Sequence, residues 1–350
     1  MARGRRPGQI DDAPNASALT YLYSRLPFLI QRVDQVASAL FALEAGSLQI
    51  TLPQFQFLDL LKTGGPASQV DIARHAGTDT STTSLVLGNL TKRHLARRST
   101  DERDRRRKIV EITIQGLVVH ADASAAYRRM QRRLFLALGG KGDALVDALR
   151  RIAVHGKGAP PWQPFVAESP AVTGCTAPVL DSLAFLVRRA LQQAQASMID
   201  GIGAHDLTMR QYATLLIVCF HEGIGESGIG RTLGYEATNA AFVVKLLLAK
   251  GLIEAESAHP GGRRRYRATN SGKGMLLTVE PGLTQGEAAL AAALSSAQIT
   301  ELQRMLGMII RSFDGMMRFP LVYFAAMTAE PRWPVPLQPH LVVDLAMAPL

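Results

Sequence analysis

Apolar residues recur at helical spacing along almost the whole chain. Leu22, Leu26, Leu29, Ile30 and Val33 form one stripe, and Leu180, Leu183, Leu186 and Val187 form another like it. They predict long amphipathic helices over about 17–45 and 177–200. Further helices follow near 52–62 and 208–221, opened by Thr51 and Thr208 as N-caps, whose hydroxyls can accept from the free amides of a first turn. Short helices near 68–76 and 226–233 end at Gly77 and Gly234, residues suited to the positive φ of a helix terminus. Another pair spans about 80–93 and 237–250. The period then changes. Leu95–Arg98 leads into a charged turn and Ile109–Ile112 leads out of it, as Leu252–Ala255 and Tyr266–Ala268 do later, so each pair reads as a two-stranded hairpin. Long helices over about 114–138 and 271–293, then 142–155 and 296–317, complete the pattern.

The second half therefore echoes the first. At a shift of 157 residues LPFLIQRV from Leu26 lies over LAFLVRRA from Leu183, Gln54-Phe55 over Gln211-Tyr212, and Ile72-Ala73-Arg74 over Ile229-Gly230-Arg231. Gly77, Leu90 and Leu95 fall on Gly234, Leu247 and Leu252. Past the charged turn the shift becomes 156, pairing Thr113 with Thr269 and Gly116 with Gly272, so the second turn is one residue shorter. The expected organisation is a basic arm (1–18), a first unit (19–155), a Pro-rich linker (156–176), a second unit (177–317) and a Pro-rich, apolar C-terminal arm (318–350). Two helices joined by a turn and followed by a hairpin make a winged helix-turn-helix. The fold class is thus mainly α with small β-hairpin wings, built as two winged helix-turn-helix units with long helices at both ends of each.

Charge sharpens the picture. The 350 residues carry 39 Lys and Arg against 29 Asp and Glu, a net charge of +10, which favours a polyanionic partner. Cys175 and Cys219 form no CxxC or metal-ligand spacing, so neither a disulfide framework nor a metal site is expected. No signal peptide or membrane-spanning run is legible, and a cytoplasmic protein is expected. Enzyme signatures such as HExxH, GxSxG, a Walker loop or a dinucleotide fingerprint do not occur; no catalytic residue and no cofactor are expected.

The charged turn is where a family resemblance becomes specific. Asp101, Arg103, Asp104 and Arg106 stand in a D-x-R-D-x-R run leading to Ile109-Val110, Ile112-Thr113 and Gly116. This resembles the wing of MarR-family transcription regulators, over roughly 19–155 and more weakly 177–317. The resemblance implies DNA binding, commonly as a repressor. Family members dimerise through their terminal helices, so the resemblance implies a helical dimerisation-type bundle with a pseudo-twofold axis between the two units: one chain would supply both halves and act as an intramolecular pseudo-dimer on double-stranded DNA. Arg103 is the expected minor-groove probe, with Arg105 and Arg106 beside it, because arginine is drawn to the negative potential of a narrow groove. Asp101 and Asp104 would order the wing by pairing with those guanidinium groups. Thr80, Ser81, Thr82 and Ser84 open the expected recognition helix, and Lys92 and Arg93 are available for phosphates. No Arg or Asn stands ready for a strong base contact, so shape and wing contacts are expected to matter.

The second unit departs from this pattern. Its wing, HPGGRRRYRAT, keeps Arg263, Arg264 and Arg265 but has no aspartate. Its helix, Ala237-Thr238-Asn239-Ala240-Ala241-Phe242, is largely apolar where the groove would be, with Ala and Phe as the side chains that could touch thymine methyls, and it carries Lys245. Either it reads an asymmetric half-site through Thr238, Asn239 and apolar contacts to thymine methyls, or it has become a structural partner. The resemblance further implies a cleft in each unit for a small aromatic or phenolic effector, with Tyr23, Arg25, Arg32, His75 and His120 as candidates in the first and Arg188, Arg189 and His205 as their counterparts in the second; an arginine there would pair with a carboxylate. The rival reading is a protein-interaction module built on degenerate winged helices.

Overall fold

The structure is a computed structural model, and it describes residues 21–100, 108–155, 182–235, 237–256, 264–313 and 315. The arm at 1–18, the linker at 156–176, the C-terminal arm at 318–350 and the tip at 101–107 lie outside these. The elements are α1 (Leu26–Ala45), α2 (Leu52–Gly64), β1 (Ala67–Ser68), α3 (Gln69–Ala76), α4 (Thr80–Lys92), β2 (Ala96–Thr100), β3 (Lys108–Ile112), α5 (Ile114–Leu136) and α6 (Gly142–His155). There follow α7 (Leu183–Ile202), α8 (Met209–Phe220), α9 (Glu226–Leu233), α10 (Ala237–Ala249), β4 (Ile253–Glu256), β5 (Arg265–Ala268), α11 (Asn270–Leu290) and α12 (Ser296–Phe313). From α7 onward the chain runs through the same order as from α1, except for β1. The protein is mainly helical with small sheets.

Two compact units emerge. The N-terminal winged unit draws on 29–197 and 287–313, and the C-terminal winged unit on 21–28 and 198–286 among the described residues. In the first, Val33, Val36, Phe41, Phe55, Met130, Leu134, Leu186 and Ile309 are buried around the helical part, while Ile72, Leu87, Leu90 and Val110 fill the winged part. The rings of Phe41, Phe55 and Tyr127 meet at centroid distances of 4.9 to 6.3 Å. In the second, Leu215, Ile229, Val244, Leu247, Ile253 and Tyr266 are buried.

The expected caps are present. Thr51 and Thr208 each accept from the amide three residues on, and Gln54 and Gln211 accept the cap residue's own amide in return, giving two capping boxes. Gly77 and Gly234 close α3 and α9 at φ 60° and 68°. The Thr and Gly that follow the wing also gain a physical reason. Thr113 caps α5, accepting from the Gly116 amide at 3.0 Å and donating to the His94 carbonyl at 2.7 Å. A Cβ on Gly116 would sit 2.0 Å from the Leu95 carbonyl oxygen, and one on Gly272 would sit 2.0 Å from that of Leu252. Only glycine lets the wing's first strand pass this close to the helix.

Three features differ from the expectation. The first long helix does not run unbroken from 17: a helical turn at 21–24 is separated from α1 by a bend at Arg25. Pro27 is the reason, because it has no amide to donate to the preceding turn and its ring crowds the carbonyl four residues back. The first wing is three-stranded, not a hairpin, since β1 pairs with β3 through Ala67–Val110 and Ser68–Ile109. An isolated bridge, Ile224–Tyr266, stands at the corresponding place in the second wing. Strands of one or two residues are too short to carry an alternating pattern. Finally, α11 ends at Leu290, short of the expected 293.

Candidate nucleic-acid interface

The reading head of the N-terminal winged unit is α3, a tight turn, and α4. Asp79 caps α4: its carboxylate accepts from the Thr82 amide and the Thr82 hydroxyl, both at 2.7 Å. These two bonds, the amide's foremost, hold its pKa below the usual aspartate value. Inside the turn the hydroxyls of Thr78 and Thr83 meet at 2.7 Å, both buried. Thr83, Leu87 and Leu90 form the buried face of α4. That register turns Thr80, Ser81, Thr82 and Ser84 outward, all exposed, with Lys92 exposed on the last turn. Of the four hydroxyls, that of Thr82 is occupied by Asp79.

Arg93 is placed differently from Lys92. Its guanidinium donates to the carbonyls of Gln49 at 2.6 Å and Leu48 at 3.1 Å, so it closes the turn after α1. From the sequence it reads as a phosphate contact, because a basic residue at a helix end looks the same in either role. On the strands of the wing Arg98 and Lys108 are exposed, and Arg97 pairs across the strands with Glu111 at 2.9 Å. Asp101, Arg103, Asp104, Arg105 and Arg106 lie outside the described residues.

In the C-terminal winged unit α10 is less apolar on its outer face than its sequence implies. Ala240, Val243, Val244 and Leu247 are buried, leaving Thr238, Asn239, Phe242 and Lys245 exposed. Arg264 is exposed, whereas Arg265 donates to the Gly223 carbonyl at 2.7 Å and so anchors the wing. Tyr266 is buried and donates to Glu226 at 2.6 Å, and burial raises its pKa. Arg263 lies outside the described residues.

The effector candidates fall into separate partnerships. In the C-terminal winged unit Arg25 is buried and donates to Glu280 at 2.8 Å and to the Tyr21 hydroxyl at 2.9 Å. Tyr21 donates to Glu280 at 2.6 Å and Tyr212 to its other oxygen at 3.1 Å. Burial, with the neighbouring charges, raises both phenol pKa values. Tyr23 packs edge-on against Phe28 at 4.9 Å. Tyr21, Tyr212 and Glu280 were not anticipated; Glu280 lies 255 residues from its partner, beyond any spacing rule.

In the N-terminal winged unit His120 is buried, bonds Asp59 at 2.8 Å and stacks on Phe55 at 5.3 Å. Arg188 pairs with Asp34 at 3.0 Å, and buried Arg32 donates to Gln35 at 2.9 Å. Arg189 donates to the Gly77 carbonyl at 3.0 Å, tying α7 to the turn of the reading head; burial pulls its pKa down to about 10. His75 and His205 are half-buried. Cys219 is partly buried, and burial pushes its thiol up to about 11, away from reactivity at neutral pH.

Comparison with known proteins finds relatives for part of this chain. The family model described as MarR family matches residues 50–108, which run from α2 into the wing. The HTH-type transcriptional repressor NicR of Pseudomonas putida is 34% identical over 126 residues, covering 35% of this chain and 79% of that protein. Among solved structures, the PcaV regulator of Streptomyces coelicolor, crystallised with its natural ligand, is 27% identical over 35% of this chain and 87% of its own, with a TM-score of 0.33. BpsR of Bordetella bronchiseptica, whose DNA binding is regulated by 6-hydroxynicotinic acid, is 27% identical over 31% of this chain and 81% of its own, with a TM-score of 0.29. With a winged helix-turn-helix in place and a relative matched over most of its length, the chain belongs to the MarR family of transcriptional regulators.

Proposed function

We propose that this chain is a sequence-selective double-stranded DNA-binding repressor in which two winged units, arranged in tandem, act as a single-chain pseudo-dimer. The observation that carries this reading is the first turn of α4, where Thr80, Ser81 and Ser84 are exposed on a helix capped by Asp79 and locked in register by Thr83, Leu87 and Leu90. Hydroxyls and free amides at a helix N-terminus suit phosphates and base edges. Exposed Arg98 and Lys108 on the wing strands, with Arg103 between them in the sequence, supply the charge that draws in a duplex. The C-terminal unit keeps Thr238, Asn239, Lys245 and Arg264 exposed, in keeping with retained but different DNA contact.

A small aromatic or phenolic effector, or one carrying a carboxylate, is proposed to release the DNA by binding one spacing of the recognition helices better than the other. An incoming carboxylate at Arg25 would take the place of Glu280.

The test is selection of duplexes from a random library by the full chain, followed by anisotropy titrations across a salt series. Selected duplexes should bind better than scrambled ones, with affinity falling steeply between about 50 and 200 mM salt. Arg103→Ala should weaken all duplexes alike, whereas Thr80→Ala with Ser84→Ala should change the sequence preferred. Equal binding to every duplex, or affinity indifferent to salt, would overturn the proposal in favour of a protein-docking role.

A further inference from the structure

Among the described residues twelve large apolar side chains are exposed, and single ones on a surface are ordinary. Only one pair falls at corresponding positions of the two halves: Leu85 on α4, 67% exposed, and Phe242 on α10, 61% exposed. Elsewhere an exposed apolar residue faces a different environment at the matched position. Val70 corresponds to Ser227, Ile114 to Asn270, Leu117 to Lys273 and Leu136 to Ala292.

The match of Leu85 with Phe242 is fixed by the cores of the helices. Thr83, Leu87 and Leu90 are buried at the same register as Ala240, Val244 and Leu247. One helical turn before each exposed side chain stand exposed polar residues, Ser81 and Thr82 in one helix and Thr238 and Asn239 in the other. A bulky apolar group has therefore been kept in water twice, in the middle of the face that carries the hydrogen-bonding groups, while the rest of that face changed. Intramolecular packing gives no reason for it, because both side chains point away from their own cores.

We infer that Leu85 and Phe242 are specificity-determining residues that contact the C5-methyl groups of thymines in the major groove. This rests on the DNA-binding reading above. The thymine methyl is the one apolar feature on a base edge in that groove, and apolar side chains read it. Exposed hydroxyls beside each residue would position the helix on phosphates and base edges, leaving Leu85 or Phe242 to shed water against the methyl. The two residues differ in size and shape, so the two half-sites would place their thymines differently, giving an asymmetric operator.

The experiment takes the duplex selected by the full chain and replaces its thymines one at a time by deoxyuridine. That change removes only the methyl group and leaves the pairing edge intact. The wild-type chain should lose roughly fourfold in affinity at the contacted positions, the value of one buried methyl group. Leu85→Ala should bind thymine and deoxyuridine duplexes alike at one set of positions, and Phe242→Ala at another. Both variants should keep the salt dependence and the thermal unfolding midpoint of the wild type, since the side chains are exposed. A wild-type chain indifferent to every replacement overturns the inference while leaving DNA binding intact; so does a variant that keeps full discrimination, for the residue concerned. Failure of the DNA-binding reading looks different: no duplex is enriched, and both fall.

Discussion

The contact between the second and fifth helices of each half is built from opposite materials. In the N-terminal winged unit α2 and α5 meet through Asp59 and His120, bonded at 2.8 Å in the interior. At the corresponding positions of the C-terminal winged unit stand Leu216 and Leu276, both fully buried. One turn away the situation reverses. Phe55 and Ser124 in the first unit correspond to Tyr212 and Glu280 in the second, where Glu280 gathers Arg25, Tyr21 and Tyr212. Each unit thus keeps a buried polar link between the same two helices, and the Tyr212–Glu280 link sits about one turn from the place of Asp59 and His120. Apolar packing is interchangeable at these sites, and a polar link is not, because each of its members must find a partner once water is gone.

The largest expected effect of breaking this contrast is at Glu280. Glu280→Leu leaves the Arg25 charge buried and removes the carboxylate that accepts from the Tyr21 and Tyr212 hydroxyls, at a cost of about 3–5 kcal/mol in urea unfolding. Unchanged stability would mean that the cluster is hydrated and contributes little.

Asp59→Leu should cost less, about 1–3 kcal/mol, through the unsatisfied His120 ring nitrogen. The double variant Asp59→Leu with His120→Leu copies Leu216 and Leu276 and should recover most of the loss. A double variant no better than the single one would show that the two helix pairs are not packed alike.

The smallest effect belongs to Asp79. Asp79→Ala removes the cap of α4 and should cost about 1 kcal/mol at neutral pH. The folded-state pKa of this carboxylate lies below its unfolded value, so its stabilisation is present above the unfolded pKa of about 3.9 and is lost as pH falls through the folded value. Wild type and variant should therefore differ by a constant amount near neutrality and converge in acid, as followed by thermal unfolding at stepped pH.

Much of the fold was written in short-range patterns. Helical stripes, Thr51 and Thr208 ahead of their helices, Gly77 and Gly234 behind theirs, and the Thr113–Gly116 and Thr269–Gly272 steps all act through neighbours a few residues away, so spacing alone exposes them. The exposed hydroxyls of α4 were legible for the same reason: once Leu87 and Leu90 are assigned to the core, helical geometry turns Thr80, Ser81 and Ser84 outward. Candidate site residues with long side chains were harder to place. Arg93, expected at a phosphate, closes a turn, and the effector candidates Arg25, expected in one cleft, and Arg188 and Arg189, expected in its counterpart, have Glu280, Asp34 and Gly77 as partners.

The sequence by itself thus determined the order of elements, their caps, the matched apolar register of the two halves and the basic character of the winged face. Tertiary structure alone decided the break at Arg25, the added strand at Ala67–Ser68, and the partner of each buried charge. The division follows from range: periodicity and capping depend on residues within a turn or two, whereas a buried guanidinium selects its acceptor from whatever packing brings within 3 Å, and that acceptor can lie 255 residues away.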